Sequence, residues 1–214
     1  MTSEQVARDI NNYITKWQRE KNRLIVAIDG YSGSGKTTVL NCLVRQNPSV
    51  LAVHLDEFIM HWKVRKQMMD SAQDRSSVFE YKWYRYQELI NLLRAFKRNR
   101  KQSMAFRMYD FERNDFGDTK VFDLFKPVLA IEGILLFHPR LAISQLLDKR
   151  VYLAVDFAKA DRRRIAREKE QLGRRYVREN HPDSYVLPFK VAYRRYVRQF
   201  NPAGIGDVVY DMSK

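Results

Sequence analysis

A glycine-rich segment near the start of the chain has the residue types and spacing of a phosphate-binding loop. Residues 30–38 read GYSGSGKTT and fit the pattern GxxxxGK[ST], with an apolar run before them and a helical pattern after them. Glycines let the backbone turn tightly, so that successive N–H groups face one anion, and the N-terminus of the following helix adds its dipole. The segment therefore predicts a nucleotide phosphate site formed by Gly30, Ser32, Gly33, Ser34, Gly35, Lys36, Thr37 and Thr38.

Two side chains of this loop can act directly on bound phosphates. The Lys36 ammonium would reach the β- and γ-phosphates of ATP or another nucleoside triphosphate, and its charge would follow the γ-phosphate during transfer. The Thr37 hydroxyl would bind Mg²⁺. A chance glycine-rich turn is the alternative, and the strand and helix patterns on either side argue against it. We therefore expect ATP and Mg²⁺ as ligands.

Two carboxylates stand where predicted strands end. Asp56 follows the apolar segment Val50–Leu55, and Glu132 follows Val128–Ile131. In open parallel sheets ligands bind beyond the carboxyl ends of the strands, so both acids should face the nucleotide. Asp56 could accept the proton of an acceptor hydroxyl or help to hold Mg²⁺, and its alternative is a helix N-cap. Glu132 would be the second acid near Mg²⁺, unless it is merely solvated at its strand end.

The elements that must position these residues alternate between strands and helices. Residues 3–21 and 78–98 have apolar residues at helical spacing, and Thr2 with Gln5 offers a capping box. Apolar strands that alternate with helices predict an α/β fold of three layers, with a parallel sheet covered on both faces. The other predicted strands are Leu24–Asp29, Met104–Met108, Lys120–Leu124, Val151–Val155 and Asp207–Tyr210, and the other predicted helices are Lys36–Gln46, Pro139–Leu147, Lys159–Arg178 and Leu187–Phe200.

The chain shows no repeat, low-complexity stretch or Pro/Gly/Ser linker, so its 214 residues predict a single domain. We expect an N-terminal helix in residues 1–21, a core in residues 22–157 and 201–214, and a basic helix in residues 159–178. That basic helix carries nine lysines and arginines against three acids. A charge run of this kind is either a solvated helix face or a binding surface for phosphates.

The composition limits the class of protein. The net charge of +14 fits either a nucleic-acid ligand or a polyanionic small ligand such as ATP. No apolar run approaches the ~20 residues that a membrane span needs, so we expect no membrane partner. Cys42 is the only cysteine, which excludes an internal disulfide and fits a reducing cytoplasm. A cytoplasmic location is therefore expected, and a homo-oligomer stays open.

The motifs, taken in order, resemble the uridine kinase family. GYSGSGKTT at 30–38, HLDEF at 54–58, YDF at 109–111 and IEGIL at 131–135 match its order and spacing, and the similarity runs from about Leu24 to Asp211. The resemblance implies a three-layer P-loop kinase fold with a helical arginine-rich lid. It also implies transfer of the ATP γ-phosphate to a hydroxyl of a nucleoside.

The same resemblance implies roles for single residues. Asp56 would be the catalytic base, Glu132 would help with Mg²⁺, and Tyr109 would contact the nucleoside. The lid pattern RRxxRE at 163–168, followed by GR at 173–174, is similar to the family's arginine-rich helix. It makes Arg164, Arg167 and Arg174 candidate phosphate ligands, the first two of them catalytic.

Two departures from the family pattern concern the acceptor. Trp83 stands where uridine-phosphorylating members carry an acid for the ribose hydroxyls, and an indole cannot accept a hydrogen bond. Asn114 stands where they carry a histidine that contacts the base; Asn114 could still bond a base edge, and Glu80 could replace the missing acid. A kinase for a non-nucleoside alcohol, as in pantothenate kinases and phosphoribulokinases, is therefore the alternative. A nucleic-acid-binding P-loop protein is a less favoured one, so we expect no nucleic-acid partner.

Overall fold

A five-stranded parallel sheet lies at the centre of the molecule. In the computed structural model, which describes residues 1–173, 176–182 and 184–213, the strand order is β2-β5-β1-β6-β7. The neighbouring strands of this sheet pair in parallel. The described strands are β1 (Leu24–Gly30), β2 (Val50–His54), β3 (Ser103–Asp110), β4 (Asp115–Asp123), β5 (Val128–Gly133), β6 (Lys149–Ala154) and β7 (Val208–Asp211). Strands β3 and β4 form a separate antiparallel hairpin.

The sheet is buried on both faces, as its sequence predicts. All seven residues of β1 are buried, and successive side chains point to opposite faces. Leu24, Val26 and Ile28 pack into one hydrophobic cluster, whereas Ile25 and Ala27 pack into the other. Because both faces of β1 are apolar, helices must cover both, and this gives the three layers.

Seven α-helices of the described residues surround the sheet and the hairpin. The first two, α1 and α2, pack against each other beside one face, which is the face that contains Leu24 and Val26. The Thr2–Gln5 capping box is present at the start of α1. The helices are α1 (Ser3–Trp17), α2 (Lys36–Gln46), α3 (Trp62–Ser71), α4 (Arg75–Tyr81), α5 (Tyr86–Arg98), α6 (Phe157–Leu172) and α7 (Val186–Phe200).

The predicted helix over residues 78–98 is wrong, because it is two helices with an extended break between them. Residues 82–85 leave the helix so that Tyr84 can form a β-bridge with Ile59. On either side of that bridge, the Met60 N–H donates to the Trp83 carbonyl at 3.0 Å, and the Arg85 N–H donates to the Phe58 carbonyl at 2.6 Å. These are tertiary contacts between distant segments, and helical spacing cannot reveal them.

Other boundaries differ by less. The predicted helix Pro139–Leu147 is only a short 3-10 turn over Ala142–Leu146. The basic helix α6 begins two residues before the predicted start and ends at Leu172 rather than at Arg178. No helix of the described residues is both long enough and apolar enough to cross a membrane.

Candidate active site

The carboxyl ends of β1, β2 and β5 meet at one edge of the sheet. In the strand register, His54 at the end of β2 lies beside Glu132 of β5, and Asp29 of β1 lies beside Gly133. A cavity of about 290 Å³ opens at this edge. Its lining comes from the phosphate loop, the two predicted acidic positions, the end of β5, four aromatic residues and α6. The lining residues are Ser32, Gly33, Gly35, Lys36, Thr37, Thr38, Asp56, Phe79, Trp83, Tyr84, Glu132, Gly133, Ile134, Arg164, Arg167, Glu168 and Phe189.

The phosphate loop adopts a conformation that suits glycine. Gly33 and Gly35 have φ angles of +84° and +94°, in the left-handed region that other residues rarely adopt. A Cβ on Gly33 would also lie 2.4 Å from the Ala160 carbonyl oxygen of α6, so the loop and α6 approach each other too closely for a larger residue. Gly30 and Ser34 belong to the loop but do not line the cavity.

Two polar groups of this loop are buried, and of these only Lys36 lines the cavity. The hydroxyl of buried Ser34 has no hydrogen-bond partner among the described residues. The Lys36 ammonium is buried and donates to the Tyr31 carbonyl at 2.9 Å. Burial lowers the pKa of Lys36, and the charges of Glu132, Asp29 and Asp56 oppose that shift. Burial disfavours the charged ammonium, and a polyphosphate in the cavity would stabilise it. Lys36 can therefore turn toward a polyphosphate that enters the cavity.

Glu132 is the point where the loop meets β5. Its Oε1 accepts hydrogen bonds from the Thr37 hydroxyl at 3.0 Å and from His54 Nδ1 at 2.9 Å. Burial raises the pKa of Glu132, but the bond from His54 and the charges of Lys36 and His54 outweigh it, so the pKa lies below its usual value. The carboxylate is therefore ionised. Thr37, Glu132 and Asp56 together offer the oxygen donors that Mg²⁺ prefers.

Asp56 lies in the 3-10 turn Leu55–Phe58 that follows β2. The N-cap of this turn is His54, so Asp56 is not the helix cap that was its alternative reading. The Tyr84 hydroxyl donates to Asp56 Oδ1 at 3.1 Å. Loss of solvent around the carboxylate and the charge of Glu132 raise the pKa of Asp56. The hydrogen bond from Tyr84 and the charge of Lys36 oppose the rise. The side chain is exposed to the cavity, so the effect of burial would become complete only when a ligand displaces solvent.

The basic helix α6 contributes two arginines of different character. Arg164 is buried, and its guanidinium pairs with Glu168 at 2.8 Å, with Asp161 at 3.5 Å and with Glu179. Arg167 is exposed at the cavity wall. The structure therefore brings both arginines to the cavity that contains Lys36. Arg174 lies outside the described residues.

The three residues predicted to bind the acceptor do not line this cavity. Glu80 is buried and pairs with Arg195 at 3.3 Å. The Tyr109 hydroxyl donates to Asn114 in the β3–β4 hairpin. Instead, the cavity wall beside Asp56 is aromatic and consists of Phe79, Trp83, Tyr84 and Phe189.

Sequence reasoning missed this aromatic wall and His54. Phe79 and Trp83 fit the apolar stripe of a helix, so their pattern indicated core packing, and both are indeed buried. Their second role, at the cavity, depends on the break at residues 82–85. The sequence indicated it only for Trp83, which stands at the position of an acceptor-binding acid in the resembled pattern. His54 had a usable signal, since it lies near the end of a predicted strand and two residues before Asp56.

Comparisons with known proteins identify a matching family and several similar chains. The model of the Phosphoribulokinase / Uridine kinase family matches residues 25–206. A uridine kinase from Borrelia turicatae is 26% identical over 174 residues, which are 81% of this chain and 80% of that protein. Nicotinamide riboside kinase 2 from Mus musculus is 26% identical over 191 residues, 88% and 86% of the two chains. A solved structure described as a possible uridine kinase from Bacillus stearothermophilus superposes with a TM-score of 0.66 at 22% identity, covering 95% of this chain and 98% of the other.

Proposed function

This chain belongs to the phosphoribulokinase / uridine kinase family, and on that premise we propose that it transfers the γ-phosphate of ATP to a hydroxyl of a small molecule. The observation that carries the proposal is that Lys36, Glu132 and Asp56 open onto one cavity at the carboxyl edge of the sheet. These are a cation for the transferred phosphoryl group, an ionised carboxylate near a hydroxyl for Mg²⁺, and a separate carboxylate for the acceptor.

Each group has a separable task in this proposal. Bound Mg²⁺ would neutralise charge on the phosphates, held by Thr37 and Glu132. Asp56 would receive the proton of the acceptor hydroxyl as its oxygen bonds to phosphorus, and its raised pKa makes it a stronger base than an ordinary aspartate. Lys36 and Arg167 would stabilise the negative charge that spreads over the phosphoryl oxygens. Closure of α6 over the loop would exclude water, the competing acceptor.

We propose a nucleoside as the first acceptor class to test. Its support is that the relatives are named uridine kinase and nicotinamide riboside kinase, both after nucleosides. The aromatic wall beside Asp56 can accommodate a planar ring. A non-nucleoside alcohol is the second class. It is favoured by Trp83, which lines the cavity and offers no oxygen to a ribose diol.

The test is direct detection of a phosphorylated acceptor. The chain is incubated with ATP, Mg²⁺ and each member of a panel of nucleosides and small alcohols, and products are identified by mass spectrometry beside a coupled assay for ADP. We expect ADP release that depends on one class of acceptor and that falls at least ~10²-fold in Lys36→Met. ATP binding without acceptor-dependent ADP release from any member would contradict the proposed function.

A further inference from the structure

Arg65, on α3, is a buried cation that has no anionic partner in residues 1–173, 176–182 and 184–213. Only 8% of the residue is exposed. Its guanidinium lies 4.9 Å from the centroid of the Trp83 ring and 5.4 Å from that of the Tyr109 ring. Its one side-chain hydrogen bond in the described part of the chain is from Nη2 to the Tyr109 hydroxyl, at a long 3.4 Å. Its Nε is buried and has no partner there.

Burial of the Arg65 guanidinium is unfavourable unless an anion pairs with it. A guanidinium carries five N–H donors and keeps its charge at any physiological pH. Burial of an unpaired charge is unfavourable, and contacts with aromatic faces offset only part of that cost. Among the described residues, every ion pair of α3 involves other side chains, such as Lys66 with Asp70, and none involves Arg65. An anion from outside the chain would satisfy the free donors.

The position of Arg65 connects it to the candidate active site. Trp83, whose ring lies against the guanidinium, lines the cavity, and the next residue, Tyr84, donates to Asp56. Arg65 itself does not line the cavity, so Trp83 stands between the two. A change of rotamer in the long Arg65 side chain can move its guanidinium around the edge of the Trp83 indole. Such rotamer changes are common on binding.

We propose that Arg65 binds a carboxylate of the acceptor, and that the acceptor is therefore an alcohol that carries a carboxylate at the end remote from the reacting hydroxyl. The inference rests on the proposed function and specifies its substrate class. A carboxylate is the group that fits, because its two oxygens match the planar fork of a guanidinium. The hydroxyl would lie at Asp56, and the body of the acceptor would run along the aromatic wall past Trp83. A cationic acceptor would be repelled from this end of the site.

Matched pairs of acceptors test the inference. Each pair contains an acid and a neutral compound of similar shape: orotidine and uridine, D-glycerate and glycerol, pantothenate and panthenol. Acceptor-dependent ADP release is measured with the parent chain, with Arg65→Met and with Arg65→Lys. Arg45→Met is the control, since Arg45 is an arginine that pairs with Glu4 on the exposed end of α2, away from the phosphate loop.

We expect kcat/KM for the favoured acid to exceed that for its neutral partner. Arg65→Met should lower kcat/KM for the acid about 10- to 100-fold and leave the neutral compound nearly unchanged, as expected for loss of hydrogen bonds to a charged group. Arg65→Lys, which keeps the charge but loses the fork, should lie in between. Arg45→Met should behave as the parent. A structural role for Arg65 would instead lower activity toward both members of a pair equally.

A binding measurement keeps this inference separate from the proposed function. Thermal shifts of the same variants are recorded with a non-hydrolysable ATP analogue and each acid or neutral compound. Stabilisation by an acid but not by its partner, lost in Arg65→Met, would support the carboxylate site even if no ADP were released. The inference would be overturned, with the kinase proposal left intact, if no acid stabilised the parent chain more than its neutral partner does. Turnover of an acid that Arg65→Met leaves unaffected would overturn it equally.

Discussion

At the scale of single residues, Glu132 connects the phosphate loop to β5 and β2, because it accepts from both Thr37 and His54. We expect Glu132→Gln to raise the Mg²⁺ concentration for half-maximal activity by roughly 10-fold or more, since an amide oxygen is a weaker ligand than a carboxylate. The measurement is a Mg²⁺ titration of ADP release at saturating ATP. An unchanged Mg²⁺ requirement would remove Glu132 from the metal site. Thr15→Ala, which removes an exposed hydroxyl of α1 outside the cavity lining, is the control.

The Tyr84 hydroxyl limits the rise in the pKa of Asp56 that burial and Glu132 cause. The hydroxyl of Tyr84 donates to the carboxylate, and this bond lowers the pKa of Asp56 against the raising effects of burial and Glu132. Tyr84→Phe removes the donor, so the pKa of Asp56 should rise. The acid limb of the kcat/KM profile, where Asp56 becomes protonated, should therefore move to higher pH. Tyr86→Phe, whose hydroxyl makes only a 3.5 Å bond to the Glu80 carbonyl, should leave the profile in place. A shift in both variants would assign the acid limb to another group.

At the scale of elements, the sequence predicted the basic character of α6 but not all of the ion pairs that its arginines form. Its arginine spacing predicted residues that face phosphates, and the structure places two of them at the cavity. Asp161 and Glu168 stand three and four residues from Arg164 on the same helix, so their spacing allows these pairs to be expected. The pair with Glu179, beyond the end of the helix, could not be foreseen. Arg164 is thus held in place by ion pairs with the protein's own carboxylates, whereas Arg167 is exposed.

This difference separates the two arginines experimentally. Arg167→Ala should reduce kcat at least ~10-fold while the affinity for ATP changes little, because its charge matters most as the phosphoryl group moves. Arg164→Ala should also lower thermal stability, since it removes the partner of Glu168 and leaves Asp161 and Glu179 with Lys190 as their only cation among the described residues. The readouts are kcat, the Kd of an ATP analogue and the Tm. If Arg167→Ala weakened ATP binding as much as it lowered kcat, Arg167 would be a binding residue only.

The break between α4 and α5 shows why part of the site escaped sequence reasoning. Apolar spacing from Phe79 to Leu93 is continuous, and periodicity alone therefore predicts one helix. The bridge of Tyr84 to Ile59 interrupts it and turns Trp83 and Tyr84 toward the cavity. Local motifs were readable because the phosphate loop is defined by consecutive residues. The acceptor side is assembled from segments far apart in the chain, so no local pattern encodes it.

At the scale of the whole molecule, buried Asp29 makes the stability of the folded chain depend on pH. It is fully buried at the end of β1, where it accepts from the Tyr196 hydroxyl of α7 at 2.6 Å. Burial raises the pKa of Asp29 from 3.8 to about 6, although Tyr196 and Lys36 oppose the rise. The folded chain then holds this proton more tightly than the unfolded chain does. Its stabilisation is complete below pH ~4 and is lost as the pH rises through ~6.

Asp29→Asn should remove this dependence. The free energy of unfolding of the variant minus that of the parent should increase by up to about 3 kcal/mol between pH 4 and pH 7, because only the parent loses stability over this range. Urea unfolding at these two pH values measures it, with the exposed Asp118→Asn as the control. A difference between variant and parent that is constant across this range would contradict the raised pKa.

The most direct test of the whole account is the comparison of Asp56→Asn with Lys36→Met in transfer and in binding. The central claim is that one sheet edge combines a phosphate site with a separate base for the acceptor. With saturating acceptor, Asp56→Asn should transfer the γ-phosphate roughly 10²-fold more slowly than the parent while it binds an ATP analogue with nearly the parent's Kd. Lys36→Met should lose transfer and also bind the analogue more weakly. An Asp56→Asn variant that transfers phosphate at the parent's rate would contradict the claim.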